Sequence, residues 1–128
     1  MELNEYQEKA METCMETCYN VSYMSLGLTS EVGELTGKLA KTIRKGDAYI
    51  GTDRHDSDLH YDPKFYNDNE RGTHWETELK LELGDILWFC AGLADTMGWS
   101  LNEIGQMNLD KLQSRKQRGV IDGNGDLR

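Results

Sequence analysis

Apolar positions along this chain recur every three or four residues in four stretches, which is the signature of helices that bury one face. The first predicted helix runs from about Leu3 to Cys18, with Leu3, Tyr6, Met11, Cys14 and Cys18 roughly on one side, and Asn4 followed by Gln7 resembles a capping box at its start. The second runs from about Ser22 to Lys45. Its apolar line is Leu28, Val32, Leu35, Leu39 and Ile43; Lys41, Arg44 and Lys45 crowd its last turn and Gly46 is a natural stop. The third, about Trp75 to Met97, has Leu79, Leu83, Ile86, Cys90, Leu93 and Met97 in unbroken alternation of four and three, closed by Gly98. The fourth opens on Ser100-Leu-Asn-Glu103, a capping box, and extends to about Gly119. No strand is predicted anywhere, so the expected fold class is all-α.

Between the second and third helices lies a polar insert at about 47–74. It holds seven acids and three bases, yet also Tyr49, Tyr61, Phe65 and Tyr66, with Trp75 just beyond it. A segment of that length is long for a structureless loop, and its aromatics predict partial order, as a lid or an interface element. The tail, 119–128, is glycine-rich and non-helical. The expectation is one domain over 1–128.

Composition narrows the class. Hydrophobic residues make up 38% and charged residues 29%, which suits a globular domain rather than a disordered chain. No apolar run is long enough for a membrane span. The acidic, amphipathic start is unlike a secretory signal, and the three cysteines include Cys14 and Cys18 one helical turn apart, a poor basis for a disulfide framework. A cytoplasmic location with reduced thiols is expected, and buried small apolar residues are the reading for the cysteines. The net charge of −9 argues against a nucleic-acid polymer as partner, because phosphate backbones call for Lys/Arg stripes. Phosphate can still be a ligand where a cation stands between the two sets of negative charge.

The candidate chemistry lies in two acidic pairs. Glu31-Val-Gly-Glu34 is on the second helix and Glu82-Leu-Gly-Asp85 on the third. Residues at i and i+3 share a helix face, and each pair directly precedes apolar stripe residues, Val32 and Leu35 in one case, Leu83 and Ile86 in the other. Facing stripes would therefore bring four carboxylates to one seam. Such a seam needs protons or cations, since like charges repel and partial burial removes screening water. Oxygen ligands of this kind suit Mg²⁺, with Mn²⁺ as a substitute. Glu-x-x-Glu is also common on solvated helix faces, so one pair alone would carry no weight. Gly33 and Gly84 each cost about 1 kcal/mol against alanine in a helix interior, which a close helix or ligand approach would explain.

These runs, SEVGELTGKLAK and LELGDILWFCAGLAD, resemble the MazG-type nucleoside triphosphate pyrophosphohydrolases of the all-α NTP pyrophosphatase superfamily. The stretch from Asn108 through Lys111 to Arg115, continuing into RGVIDGNGD, is similar to the end of that family's domain. The resemblance implies a four-to-five-helix bundle that oligomerises through helix packing. It implies hydrolysis of a (d)NTP between its α- and β-phosphates to a monophosphate and pyrophosphate. Catalytic and metal-ligating roles then fall together on Glu31, Glu34, Glu82 and Asp85, with Glu34 the candidate general base. The insert is longer than in compact family members.

Other residues carry two readings each. Asn108, Lys111 and Arg115 share a face of the fourth helix and, with the resemblance, are read as phosphate ligands rather than a solvated face. Lys38, one turn after Glu34, would reach a phosphate or neutralise Glu34. Glu78 would be a fifth ligand or a surface acid, and Trp88 and Phe89 would stack on a base or, more simply, pack. No histidine follows a helical glutamate by three residues, so a di-iron carboxylate bundle lacks its Glu-x-x-His element. A homodimer or homotetramer is expected, since a lone unit of this size would leave its stripes partly uncovered. Two rival functions remain: a metal or nucleotide sensor without turnover, and a structural helical interaction module.

Overall fold

The computed structural model describes residues 1–45, 48–50, 59–61 and 71–121. Among these, the elements in chain order are α1 (Leu3–Met11), a 3-10 turn (Glu16–Cys18), α2 (Val21–Arg44), β1 (Ala48–Ile50), β2 (Leu59–Tyr61), α3 (Arg71–Thr96) and α4 (Leu101–Gln117). The fold class is all-α, as the periodicity predicts. Two expectations fail in detail. The first helix stops at Met11, where hydrogen bonding tightens: Thr13 N and Cys14 N bond back three residues, to Ala10 O and Met11 O, and the Thr13 hydroxyl also donates to Ala10 O at 2.7 Å. The polar insert is not strand-free. Ala48, Tyr49 and Ile50 pair antiparallel with Tyr61, His60 and Leu59, two three-residue strands that include tyrosine and isoleucine, residue types enriched in strands. Gly46, the predicted stop for α2, and most of the tail from residue 122 lie outside the described residues.

The chain forms two compact units, one of Met1–Val21 with Ala91–Arg128 and the other of Ser22–Cys90. In the first, α1 packs on α4. A Cβ on Gly105 would come 3.2 Å from Leu3 Cδ1, so the glycine admits that side chain closely. Ala10, Cys18, Ala91, Ala94 and Leu101 are buried; Cys14 is half-buried and all three thiols are free. The cap predicted at Ser100 forms, its Oγ accepting from Glu103 N at 3.2 Å. The one predicted at Asn4 does not. Asn4 Oδ1 instead accepts from Ser100 Oγ and Asn102 N at 2.8 and 2.9 Å, leaving α1 without a side-chain cap. Gly98 ends α3 at φ +71, the left-handed conformation that closes a helix, with Trp99 N reaching back to Ala94 O.

Gln7, also expected to cap α1, is a buried crosslink. Its Nε2 donates to Trp99 O and Asp95 Oδ1 at 2.9 and 3.1 Å, and its Oε1 accepts from Leu101 N at 2.9 Å. One side chain thus satisfies the turn between α3 and α4. Gln7→Leu keeps the volume but strands a buried N–H, and should cost about 1–3 kcal/mol. Thermal or urea unfolding measures this, and an unchanged midpoint would remove the crosslink's role.

In the second unit α2 and α3 run antiparallel: Gly27 meets Phe89, and eleven residues on Lys38 meets Glu82. Met24 is fully buried and Phe89 nearly so. Phe89 stacks tilted on Tyr23 at 5.9 Å and edge-on to Trp88 at 5.0 Å. Packing is therefore the role of Phe89. The inward line of α2 is Met24, Leu28, Glu31, Leu35, Lys38 and Thr42, and that of α3 includes Leu79, Glu82, Ile86 and Phe89. Val32, Ile43 and Leu83, assigned to the packing stripes, are exposed instead. Each helix has turned so that one acid predicted beside the stripe, Glu31 on α2 and Glu82 on α3, lies on it, while Glu34 and Asp85 stay exposed. Both helices carry more apolar residues than one face can hold, and a lysine and a glutamate on opposing helices allow charged groups to occupy the inner line.

Candidate functional site

Glu31 and Glu34 stand one turn apart in the middle of α2, and Glu82 faces them from α3. One carboxylate oxygen from each of the three lies within 4.8 Å of the others. Glu82 is the buried member at 8% exposure, Glu31 is half-buried and Glu34 exposed. Asp85, the fourth acid of the pattern, is exposed and stands outside this tight set, though its charge still reaches Glu31. Burial, followed by the charges of Glu34, Asp85 and Glu82, pushes the Glu31 carboxyl above its usual range.

Glu82 decides how the cluster is to be understood. Its Oε1 accepts from Lys38 Nζ at 2.6 Å, while its Oε2 is buried and has no hydrogen-bond partner. An unsatisfied buried carboxylate oxygen is costly. Here it belongs to the residue that shares a small space with two more carboxylates. Solvated surface acids have no such atom. The donor set, hard anionic oxygen from two rigid helices, fits a divalent cation such as Mg²⁺ or Mn²⁺, and Glu31, Glu34 and Glu82 are the residues able to hold it.

Lys38 differs from expectation in its partner. It pairs across to Glu82 rather than along its own helix to Glu34. The hydrogen bond to Glu82 raises the ammonium's pKa, burial offsets part of that, and the charges of Glu82, Glu78 and Glu34 add to the rise. Glu78 is thus a contributor to the field and not a member of the close set. Gly33 and Gly84 face open space, since a Cβ on either would meet no atom within 4 Å. Close helix approach does not account for them, whereas Gly27 does admit a neighbour, the Phe89 ring.

Asn108, Lys111 and Arg115 lie on α4, in the other unit, with Asn108 exposed and the two cations half-buried. Arg115 lines an open pocket of 480 Å³ with Leu109, Leu112 and Ile121. Neither the inward position of Glu82 nor its pairing with Lys38 follows from the spacing of the acidic pairs. A signal was present: Lys38 falls three residues after Leu35 and four before Thr42, in phase with the inner line of α2.

Two facing helices that bring three carboxylates within 4.8 Å of one another, one with a buried and unsatisfied oxygen, define an all-α protein with an acidic cluster that could hold a metal ion. Residues 20–120 match the model of the MazG nucleotide pyrophosphohydrolase domain, and the chain belongs to that family. It is also similar to the Gene 37 protein of Mycobacterium phage L5, with 37% identity over 108 residues, which cover 84% of this chain and 76% of that protein. No solved structure matches. Among the described residues no helix is long and apolar enough to cross a membrane.

Proposed function

We propose that this chain is a Mg²⁺-dependent nucleoside triphosphate pyrophosphohydrolase, cleaving a (d)NTP between the α- and β-phosphates to release a monophosphate and pyrophosphate. Family membership supports the reaction class. The observation that carries the metal requirement is the orphaned Glu82 Oε2 inside a carboxylate cluster. The ion, when bound, supplies charge neutralisation to the phosphates and a lowered pKa to the attacking water.

The chain's own residues divide the remaining work. Glu82, Glu31 and Glu34 form the ligand set, and Asp85 adds negative charge at its margin. Glu34, the most exposed of the close set, is free to turn toward water as general base. Lys38 brings the ammonium that a phosphate requires. Asn108, Lys111 and Arg115 are assigned to phosphate by the family resemblance alone. Assembly into a homodimer or homotetramer is part of the proposal, because Leu26, Val32, Leu81, Leu83 and Leu87 expose apolar surface on the second unit.

A panel of normal and modified (d)NTPs incubated with Mg²⁺, then analysed for monophosphate and pyrophosphate, tests the reading. Turnover that EDTA abolishes is the expected result. Metal-dependent thermal stabilisation without turnover would replace the enzyme by a sensor. Neither effect would leave a structural module.

A further inference from the structure

Three acids, Glu31, Glu34 and Glu82, gather between the middles of α2 and α3, and one ammonium is placed against the deepest of them. The two ends of that ion pair are unequal. The Glu82 side chain is 10% exposed and held on the inner line of α3, whereas that of Lys38 is 36% exposed. Lysine carries its charge on a flexible four-carbon stem that reaches water while its base stays packed. Of the two partners, Lys38 is the one able to leave. It also answers only half of Glu82, since Nζ contacts Oε1 and leaves Oε2 unsatisfied. A single ammonium brings one positive charge to a place where Glu31, Glu34 and Glu82 crowd their oxygens within 4.8 Å. A divalent ion brings two and is able to engage several of those oxygens together.

We propose that Lys38 is a tethered counter-ion that holds Glu82 in the metal-free protein and is displaced from it by the incoming divalent cation. The inference rests on the metal-binding reading given above and adds a regulation of that site. It makes metal affinity a difference between two cations competing for one carboxylate. A protein without metal keeps its inner glutamate paired, so the acids stay assembled instead of repelling the helices apart. Loading then has a second consequence: the ammonium leaves Glu82 and becomes available beside the ion, where phosphate oxygens would bind. The cost of displacing it lowers the apparent metal affinity, as any competing ligand does.

The test uses the full chain, stripped with EDTA and without nucleotide. In the wild type, a brief pulse of acetic anhydride followed by mass spectrometry measures the reactivity of Lys38, with Lys9 as internal reference. Lys9 pairs with Glu5 on the exposed face of α1. Saturating Mg²⁺ is expected to raise Lys38 acetylation several-fold relative to Lys9; unchanged or reduced labelling would overturn the displacement. Separately, Mn²⁺ binding followed by electron paramagnetic resonance should be roughly ten-fold tighter in Lys38→Gln than in the wild type, the scale of one charge-assisted hydrogen bond. Lys38→Arg, which keeps the charge, should stay near the wild type. Equal or weaker Mn²⁺ binding by Lys38→Gln counts against the proposal. The labelling pulse needs no variant to fold, and it separates true displacement from the loss of a distant positive charge. If the wild type binds neither ion, the metal-binding reading fails and takes this inference with it. If it binds both but Lys38 stays on Glu82, only the inference fails.

Discussion

Glu82→Gln should reduce nucleotide hydrolysis on the order of a hundredfold or more, the loss expected when a metal site is deprived of a principal anionic ligand. The substitution is nearly isosteric, and the glutamine oxygen can still accept from Lys38, so the metal-free protein should remain folded. What disappears is negative charge at the most enclosed point of the cluster, where solvent compensates least. The rise in melting temperature on adding Mg²⁺ should be lost together with turnover. Asp85→Asn offers the contrast. Asp85 is exposed and outside the close set, so its variant should lose activity while keeping more of the Mg²⁺-dependent stabilisation. Wild-type turnover in Glu82→Gln, with an undiminished thermal shift, would refute the ligand assignment.

The largest effect on stability is expected at the contact between Gly27 and Phe89. A Cβ at position 27 would lie 2.0 Å from Phe89 Cε1, and the ring is 9% exposed. Phe89→Ala should cost about 3–5 kcal/mol through lost burial and the cavity left behind. Gly27→Ala is the more informative change because two terms oppose each other. Alanine gains about 1 kcal/mol of helix propensity, while overpacking a filled site costs about 1–3 kcal/mol. The overlap is severe and the ring is enclosed by Tyr23 and Trp88, so overpacking should win. In a Phe89→Leu background the clash is relieved and Gly27→Ala should turn stabilising. That reversal of sign, read from denaturant midpoints in a double-mutant cycle, identifies the contact as direct. Additive effects would exclude it.

Much of this architecture was legible in the sequence because helices advertise themselves through period and punctuation. Ser100 with Glu103, and Gly98 in the left-handed region, act as local grammar predicts. Asn4 and Gln7 show why local grammar is insufficient. Both have the chemistry of a cap, but each is used in contacts about ninety residues away, and distant partners leave no mark on local spacing. The acids at 31, 34, 82 and 85 were visible as a pattern, and three of them do converge. Their depth was not visible. Stripe counting treats leucine and valine as inward by default, whereas here Val32 and Leu83 are exposed and Glu31 and Glu82 face inward. Hydrophobic period determines a helix face only to within one residue when apolar side chains flank both sides. The choice was made by a pairing between helices, Lys38 with Glu82. The short strands in the insert are not legible for a related reason: three residues are too few to display a period of two.

The cluster is carried in the interiors of two long helices rather than on loops, and this sets how the gene can change length. Each residue advances a helix by about 100° and 1.5 Å. Deleting one residue between Glu34 and Lys38 would swing the ammonium away from the inner face without altering any side chain's chemistry. Adding or removing residues in the segment joining α2 to α3 leaves the phase within each helix untouched. It changes chiefly a closure entropy of about 0.6 kcal/mol for each doubling of length. Length variation among relatives should therefore collect between positions 45 and 71, and the spans 31–38 and 82–85 should be free of insertions and deletions.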